Sequence, residues 1–369
     1  MRVLGIDLGT TNTVAAIENV ALPISTEDGR TTLPSVVSFI PNGRIQCGIS
    51  AKRRRSIDPQ NTIYSSKRII GRGWSDAATQ DFRKRYPFDL AETEDGLAGF
   101  STRAGISTPV DIATIILTKT FELVKYHPSG FEKTFITVPA SFNAHQRDAT
   151  TAAGERAGLP ELSLIEEPLA TAYAYGNVMN RVRRAGVYDL GGGTFDFSIV
   201  EWVDDTPRLI ASESDLLVGG DDLDHLIAEW VAARVLEKFS WDLTDYTEVY
   251  ARLVGECERA KIRLSFFDET TVRLAEIDPT GPAGLEELPV GREMLDPISE
   301  ELVRKTFVTC DSVLAAAGLR PADLDAIFLA GGSTHLSKVQ EGVQMYFGKA
   351  GRFELDPTEV IALGASQHP

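Results

Sequence analysis

The chain opens on an apolar run, Val3–Ile6, that ends in Asp7. It crosses the small polar turn Gly9-Thr10-Thr11 and returns as a second apolar run, Val14–Ile17. Short apolar runs on either side of a small-residue turn predict a β-hairpin. The same grammar recurs half a chain later in VYDLGGGTFDFSIV. There the strand Gly186–Tyr188 leads to Asp189, a turn spans Gly191–Thr194, and a strand follows at Phe195–Val200. Glycine weakens a strand, so Gly191, Gly192 and Gly193 in succession need a purpose. A single Asp-Gly hairpin is an ordinary turn. Two that match, half a chain apart, predict two related halves, each opening on a hairpin whose first strand ends in aspartate.

Two further glycine junctions follow. The apolar strand of IFLAGGSTHL (Ile327–Leu336) delivers Gly331, Gly332 and Ser333 to a helix-compatible stretch, Lys338–Phe347. VGGDDLDHLI (Val218–Ile227) sets Gly219 and Gly220 ahead of a helix with acidic caps. At such junctions backbone N–H groups and a helix N-terminus can hold an anion. Trp230–Phe239, Thr247–Leu264 and Ser299–Ala317 read as helices, with a strand-like Pro/Gly-rich stretch, Thr271–Leu288, before the last. Alternating strands and helices predict α/β cores. The acidic stretch Ser75–Ser107 is expected to be a mobile part of an insertion.

Composition narrows the function classes. The 369 residues are 43% hydrophobic and 24% charged, which suits a soluble chain of two or three units at about 100–200 residues each. A net charge of −16 argues against a nucleic-acid partner. The one basic cluster, Lys52–Arg55, reads as a solvated face. No apolar run suits a membrane span, and MRVLGIDLGTTN lacks the apolar stretch of a secretory signal. Cys47, Cys257 and Cys310 are odd in number and far apart, which fits a reducing compartment, so the expected location is cytoplasmic. GVQMYFGKA (342–350) has one residue too many for a Walker A loop, and alanine where Ser/Thr is needed. The histidines show no metal spacing with the cysteines, and no GxSxG elbow is present.

The glycine turns thus have a candidate purpose. Without Cβ atoms the backbone can approach a polyphosphate and aim N–H groups at it, which an acidic protein needs. Asp7 and Asp189, at strand ends on facing hairpins, could hold the water shell of Mg²⁺, a cation that prefers oxygen ligands and dehydrates reluctantly.

The residues resemble the actin-like ATPase superfamily, and within it the nucleotide-binding domain of the DnaK-type heat-shock protein 70 chaperones. The resemblance rests on GIDLGTTNT (5–13), KRIIGR (67–72), ITVPASFNAHQRDAT (136–150), LIEEPLATAYAYG (164–176), YDLGGGTFDFSIV (188–200), GGDDLDHLI (219–227), ERAKIRLS (258–265), LAGGSTHLSKVQ (329–340) and DPTEVIALGAS (356–366), in that family's order and spacing.

It implies an α/β, two-lobed fold with duplicated ribonuclease-H-like cores, each carrying an inserted subdomain. Lobe I would span 1–183, with its core at 1–35 and 108–183 and its insertion at 36–107. Lobe II would span 184–369, with its core at 184–222 and 299–369 and its insertion at 223–298. The boundary would fall near Asn180–Ala185. The resemblance also implies ATP or ADP as ligand, Mg²⁺ as cofactor, K⁺ as a further requirement, and slow hydrolysis to ADP and phosphate. Asp7 and Asp189 would position Mg²⁺ waters and the attacking water, and Glu167 would take a water near the metal. Gly9, Thr10, Thr11, Gly191, Gly192, Gly193 and Thr194 would cradle phosphates. Lys67 would reach the transferring phosphoryl group, chemically apt because phosphoryl transfer needs positioning and charge stabilisation. Gly219, Gly220, Glu258, Lys261, Ser265, Gly331, Gly332 and Ser333 would line the adenosine side.

His335 stands where the family usually packs an arginine over adenine, so adenosine affinity is expected to be weaker or pH-sensitive. Ser163 and Ala144 replace polar residues of the surface the family shares with co-chaperone and linker, whereas Pro139 and Arg147 are kept. After ALGASQHP the family's leucine-rich linker and β-sandwich substrate domain do not follow. The implied partners are nucleotide and a nucleotide-exchange factor or co-chaperone, with neither nucleic acid nor membrane. The competing readings are a regulatory scaffold that holds nucleotide with little turnover, and a filament-former or sugar kinase of the same superfamily.

Overall fold

The computed structural model describes residues 2–24, 29–176, 182–216, 218–278, 281–282 and 286–368. Both matched patterns form hairpins. Val3–Leu8 pairs antiparallel with Asn12–Ile17, and Arg184–Leu190 pairs antiparallel with Phe195–Val203. Both first strands run past the aspartate, so Asp7 and Asp189 are the penultimate residues of their strands rather than the residues after them.

Each hairpin is extended on its open side by a parallel strand. Lys133–Val138 adds beside Val3–Leu8, followed by Leu162–Glu166; Ala326–Ala330 adds beside Arg184–Leu190. The first sheet is completed by Val20–Ala21 and Thr32–Pro34, the second by Thr206–Asp215. Three smaller sheets stand apart: Ile45–Cys47, Val37–Phe39 and Thr62–Ile63; Leu90–Glu92, Ala98–Thr102 and Gly105–Ser107; and Glu269–Arg273 with Glu287–Gly291.

Local chemistry sets several helix starts. Thr108 and Asp111 form a reciprocal capping box on Pro109–Val124, and Asn143 with Gln146 does the same for Ala144–Arg156. Thr247–Leu264 has the predicted bounds. The helix predicted to begin at Trp230 begins at Gly220, so the glycine pair is its first turn, and Asp221 and Asp222 lie inside that turn with no side-chain cap at Gly219. The helix predicted at Ser299–Ala317 begins at Arg292 and carries Pro297 within it. The helix tolerates this proline early in its length, where only one backbone bond is lost.

Two expectations are corrected. Ser75–Ser107 is a folded unit: the helix Ala77–Arg85 and a three-stranded sheet bury Phe82, Phe88 and Phe100 against one another. Its aromatics supply a core that its acidic composition concealed. Lys52–Arg55 is not a solvated face either. Lys52 Nζ lies 2.7 Å from Glu258 Oε1, and the Arg55 guanidinium sits 3.8 Å over the Tyr64 ring. Of the expected boundary near Asn180–Ala185, Asn180 and Arg181 lie outside the described residues.

Separate cores fill the two halves, and a third lies between the main sheets. That one combines Val14 and Phe135 from the first sheet, Val187 and Phe328 from the second, and the helices Glu167–Gly176 and Val360–Ala365. Approach there is close enough to demand small residues. A Cβ on Gly364 would fall 1.7 Å from the Ala170 carbonyl oxygen, and one on Gly5 would fall 2.5 Å from the Ala362 carbonyl. Among the described residues no helix is long and apolar enough to cross a membrane.

Candidate functional site

The hairpin turns face each other across a cleft that holds a cavity of about 420 Å³. Its lining includes Asp7, Gly9, Thr10, Thr11, Lys67, Glu167, Asp189, Gly191, Gly192, Gly193, Thr194, Gly331 and Gly332, thirteen of the predicted positions. Glycine is required where the turns meet: a Cβ on Gly192 would fall 2.1 Å from Thr11 Oγ1 of the opposite hairpin. Thr11 Oγ1 is itself buried without a hydrogen-bond partner among the described residues. Such a hydroxyl beside glycines that line the cavity suits an oxyanion that would complete it.

Acid and base meet on one wall. Lys67, on the short 3₁₀ turn Ser66–Ile69, donates to Glu167 Oε1 at 2.7 Å, with both side chains about 10% exposed. Glu167 is delivered by the strand Leu162–Glu166 as it passes into its helix. Asp7 Oδ1 accepts from Thr137 Oγ1 at 2.9 Å.

Burial raises the Asp7 carboxyl to about 6, against the lowering influence of Lys67. It raises Asp189 well above the usual carboxylate range, reinforced by Glu167, Asp196 and Asp7. Burial alone would lower the Lys67 ammonium; Glu167 and Asp7 outweigh it and hold its pKa above the ordinary lysine value.

Sequence reasoning missed Asp196. It pairs directly across the hairpin from Asp189, lines the cavity, and accepts from Thr194 Oγ1 at 3.1 Å and from the Ser214 hydroxyl. Burial and Glu167 raise it to about 6. The available signal was its position in GGGTFDF: a carboxylate two residues past the turn, opposite another in register.

Four carboxylates around one ammonium, Glu167 buried and Asp7, Asp189 and Asp196 half-buried, form a strongly anionic set that a hard divalent cation would relieve. Among the described residues no three side chains stand close enough to ligate one ion directly. A Mg²⁺ ion would fit this set only through its water shell, with Asp7, Glu167, Asp189 and Asp196 as the residues that would hold it.

The remaining predicted residues stand beside this cavity rather than in its lining. Gly220 N donates to Gly191 O at 3.0 Å, and Ser333 Oγ donates to the same carbonyl at 3.0 Å, so two glycine junctions brace the third. Lys261 Nζ donates to Gly220 O at 2.8 Å and lies 2.8 Å from Asp224. The Ser265 hydroxyl donates back to Lys261 O. Gly219 packs on Gly192.

Glu258 is held by Lys52 and Arg55; burial would raise its carboxyl, but these two cations bring it down to about 2. His335 has aromatic neighbours, with its ring 5.8 Å from Phe266 and 6.3 Å from Phe353, and its Nε2 is 3.7 Å from Asp356.

Comparison with known proteins agrees along the whole length. The family described as Hsp70 protein matches residues 3–368. The chaperone protein DnaK of Stenotrophomonas maltophilia (strain R551-3) is 37% identical over 377 residues. That match covers 99% of this chain, which spans 59% of the DnaK length.

Proposed function

The chain belongs to the Hsp70 family, and on that premise we propose that its cleft binds Mg²⁺·ATP and hydrolyses it slowly, as the nucleotide-driven switch of a chaperone. Its mixed α/β architecture is the actin-like ATPase fold of that family. The observation that carries the reading is the Lys67–Glu167 pair, set among Asp7, Asp189 and Asp196 and beside two facing glycine turns.

Each group has a task there. The amides of Gly192 and Gly193 and the hydroxyls of Thr10, Thr11 and Thr194 bind phosphate oxygens, while the Gly191 N–H closes the turn on Thr194 O. Bound Mg²⁺ supplies charge neutralisation on those oxygens. Lys67 offers a compact positive charge to the terminal phosphoryl group, where charge spreads during transfer. Asp7, Asp189 and Asp196, whose carboxyls burial raises above the ordinary aspartate value, orient the attacking water, and one of them in its ionised form accepts the water's proton while its oxygen bonds to phosphorus and the bridging P–O bond breaks.

The finer assignments belong to the same proposal. Lobes spanning 1–183 and 184–369 close on the nucleotide. Glu258, Lys261, Ser265, Ser333 and His335 hold its adenosine side. K⁺ assists, exchange factors or co-chaperones are the partners, and the location is cytoplasmic.

Single-turnover hydrolysis of ATP with Mg²⁺ and K⁺ tests this on the chain and on Lys67→Ala. The expected result is conversion to ADP that falls about 10²–10³-fold in the variant while ATP still binds. Binding without ADP formation over hours would replace the switch with a nucleotide-sensing scaffold.

A further inference from the structure

Lys67 and Arg68 are adjacent on the 3₁₀ turn Ser66–Ile69, where successive side chains diverge by about a third of a turn. Lys67 reaches Glu167 and is satisfied. Arg68 crosses the cleft instead, and its Nη1 donates to the Leu216 carbonyl at 3.0 Å. Its side chain is only 7% exposed. Yet Nε and Nη2 are buried with no hydrogen-bond partner among the described residues. Asp221 Oδ2, the nearest carboxylate, is 3.9 Å from Nη2, beyond hydrogen-bond reach. Asp222, next along, is engaged by Arg85 at 2.8 Å.

The unsatisfied edge has a direction. A Cβ built on Gly193 would fall 2.8 Å from Arg68 Nε and 3.1 Å from Nη2. The two donors therefore lie against the glycine turn, and both Arg68 and Gly193 line the cavity. Natural structures seldom leave buried guanidinium donors unmet. Nε and one Nη form a parallel pair that matches two oxygens of a phosphate, a geometry an ammonium cannot copy.

We propose that Arg68 is a second cation on the phosphate chain, gripping two oxygens of bound nucleotide through its Nε–Nη2 edge beside Gly193. The inference rests on reading the cleft as a nucleotide site. It divides labour between neighbours: Lys67 serves the transfer step, whereas Arg68 serves retention of the polyphosphate. Because Nη1 stays on Leu216 O, the same side chain ties phosphate occupancy to closure of the cleft.

The test is calorimetric binding of Mg·ATP, Mg·ADP and adenosine to the wild-type chain, Arg68→Lys and Gly193→Ala. The first variant keeps charge but loses the fork; the second covers the donor edge. Thermal melting checks that each is folded. Both variants are expected to bind ATP and ADP about tenfold more weakly while adenosine affinity holds. Equal losses for all three ligands would make Arg68 a structural bridge only, and no loss would leave its edge unused; either overturns the proposal. A wild-type chain that binds no ATP would instead overturn the site reading. Because a Cβ on Gly193 would also fall 2.6 Å from Thr10 Cγ2, Gly193→Ala only corroborates; should Arg68→Lys fail to fold, Arg68→Gln is measured in its place, with the same selective loss of ATP and ADP affinity expected and an unchanged or uniform loss overturning the proposal.

Discussion

The two hairpins share a backbone plan and differ in electrostatics. Asp7 faces Val14 across its hairpin, with one hydroxyl from Thr137 and Lys67 as its chief charged neighbour. Asp189 faces another carboxylate, Asp196, and after burial its strongest influences are acidic. The first hairpin is thus partly neutralised by the protein, whereas the second is left the more strongly anionic. A duplicated scaffold fixes where the two aspartates stand; the residue opposite each decides what it can do.

The sharpest break of this comparison comes from paired substitutions. Asp189→Asn is expected to lower hydrolysis about 10²–10³-fold. At neutral pH it should also raise the melting temperature of the ligand-free chain, by more than Asp7→Asn does. The sign follows from the raised carboxyls: a group that resists ionisation in the fold costs stability when charged, and an amide removes that cost. Calorimetric melting of both variants decides it, and a larger gain from Asp7→Asn would reverse the comparison.

The turns offer a second test. A Cβ on Gly9 would fall 2.2 Å from the Asn12 carbonyl of its own hairpin, whereas one on Gly192 would meet Thr11 Oγ1 of the other half. Gly9→Ala should therefore destabilise the first half itself, by about 1–3 kcal/mol in denaturant unfolding. Gly192→Ala should spare the fold and weaken nucleotide binding, with Thr11→Ala restoring part of the affinity.

The smallest expected effect is in pH. Asp7 and Asp196, at about 6, add stability to the ligand-free chain at low pH, and that contribution disappears as pH rises through 6. Glu258, at about 2, adds stability above the ordinary glutamate value of about 4.3, and loses it as pH falls toward 2. As far as these groups set it, melting temperature should peak near pH ~4 and decline toward 6, the raised aspartates losing their contribution across that window. Mg²⁺ affinity, read by titration calorimetry, should fall as pH drops through 6, because protons compete for the same oxygens.

Both hairpins and the Thr247–Leu264 helix were legible because they rest on local pattern, namely short apolar runs, turn residues and helical period, whereas thirteen residues of the cavity lining were legible chiefly through the family resemblance of their motifs. What escaped depended on distant partners. The Lys52–Arg55 cluster reads as solvated until Glu258 arrives from the other half. Asp196 looks like a solvent-facing strand residue until the register sets it against Asp189. Arg68 reads as half of a basic dipeptide, and only its burial separates its task from that of Lys67. The last long helix starts ahead of Ser299 because the packing of Met294 and Leu295 into the second-half core, a distant contact, carries it through Pro297.

The close seat of Ala362 and Ser366 on Gly5 has a temporal consequence. Strand Val3–Leu8 is made first on the ribosome, but the helix that covers it comes from residues beyond 359. The first sheet therefore waits through synthesis of the whole second half with one face unfinished. Such a long sequence separation makes closure a late and slow step.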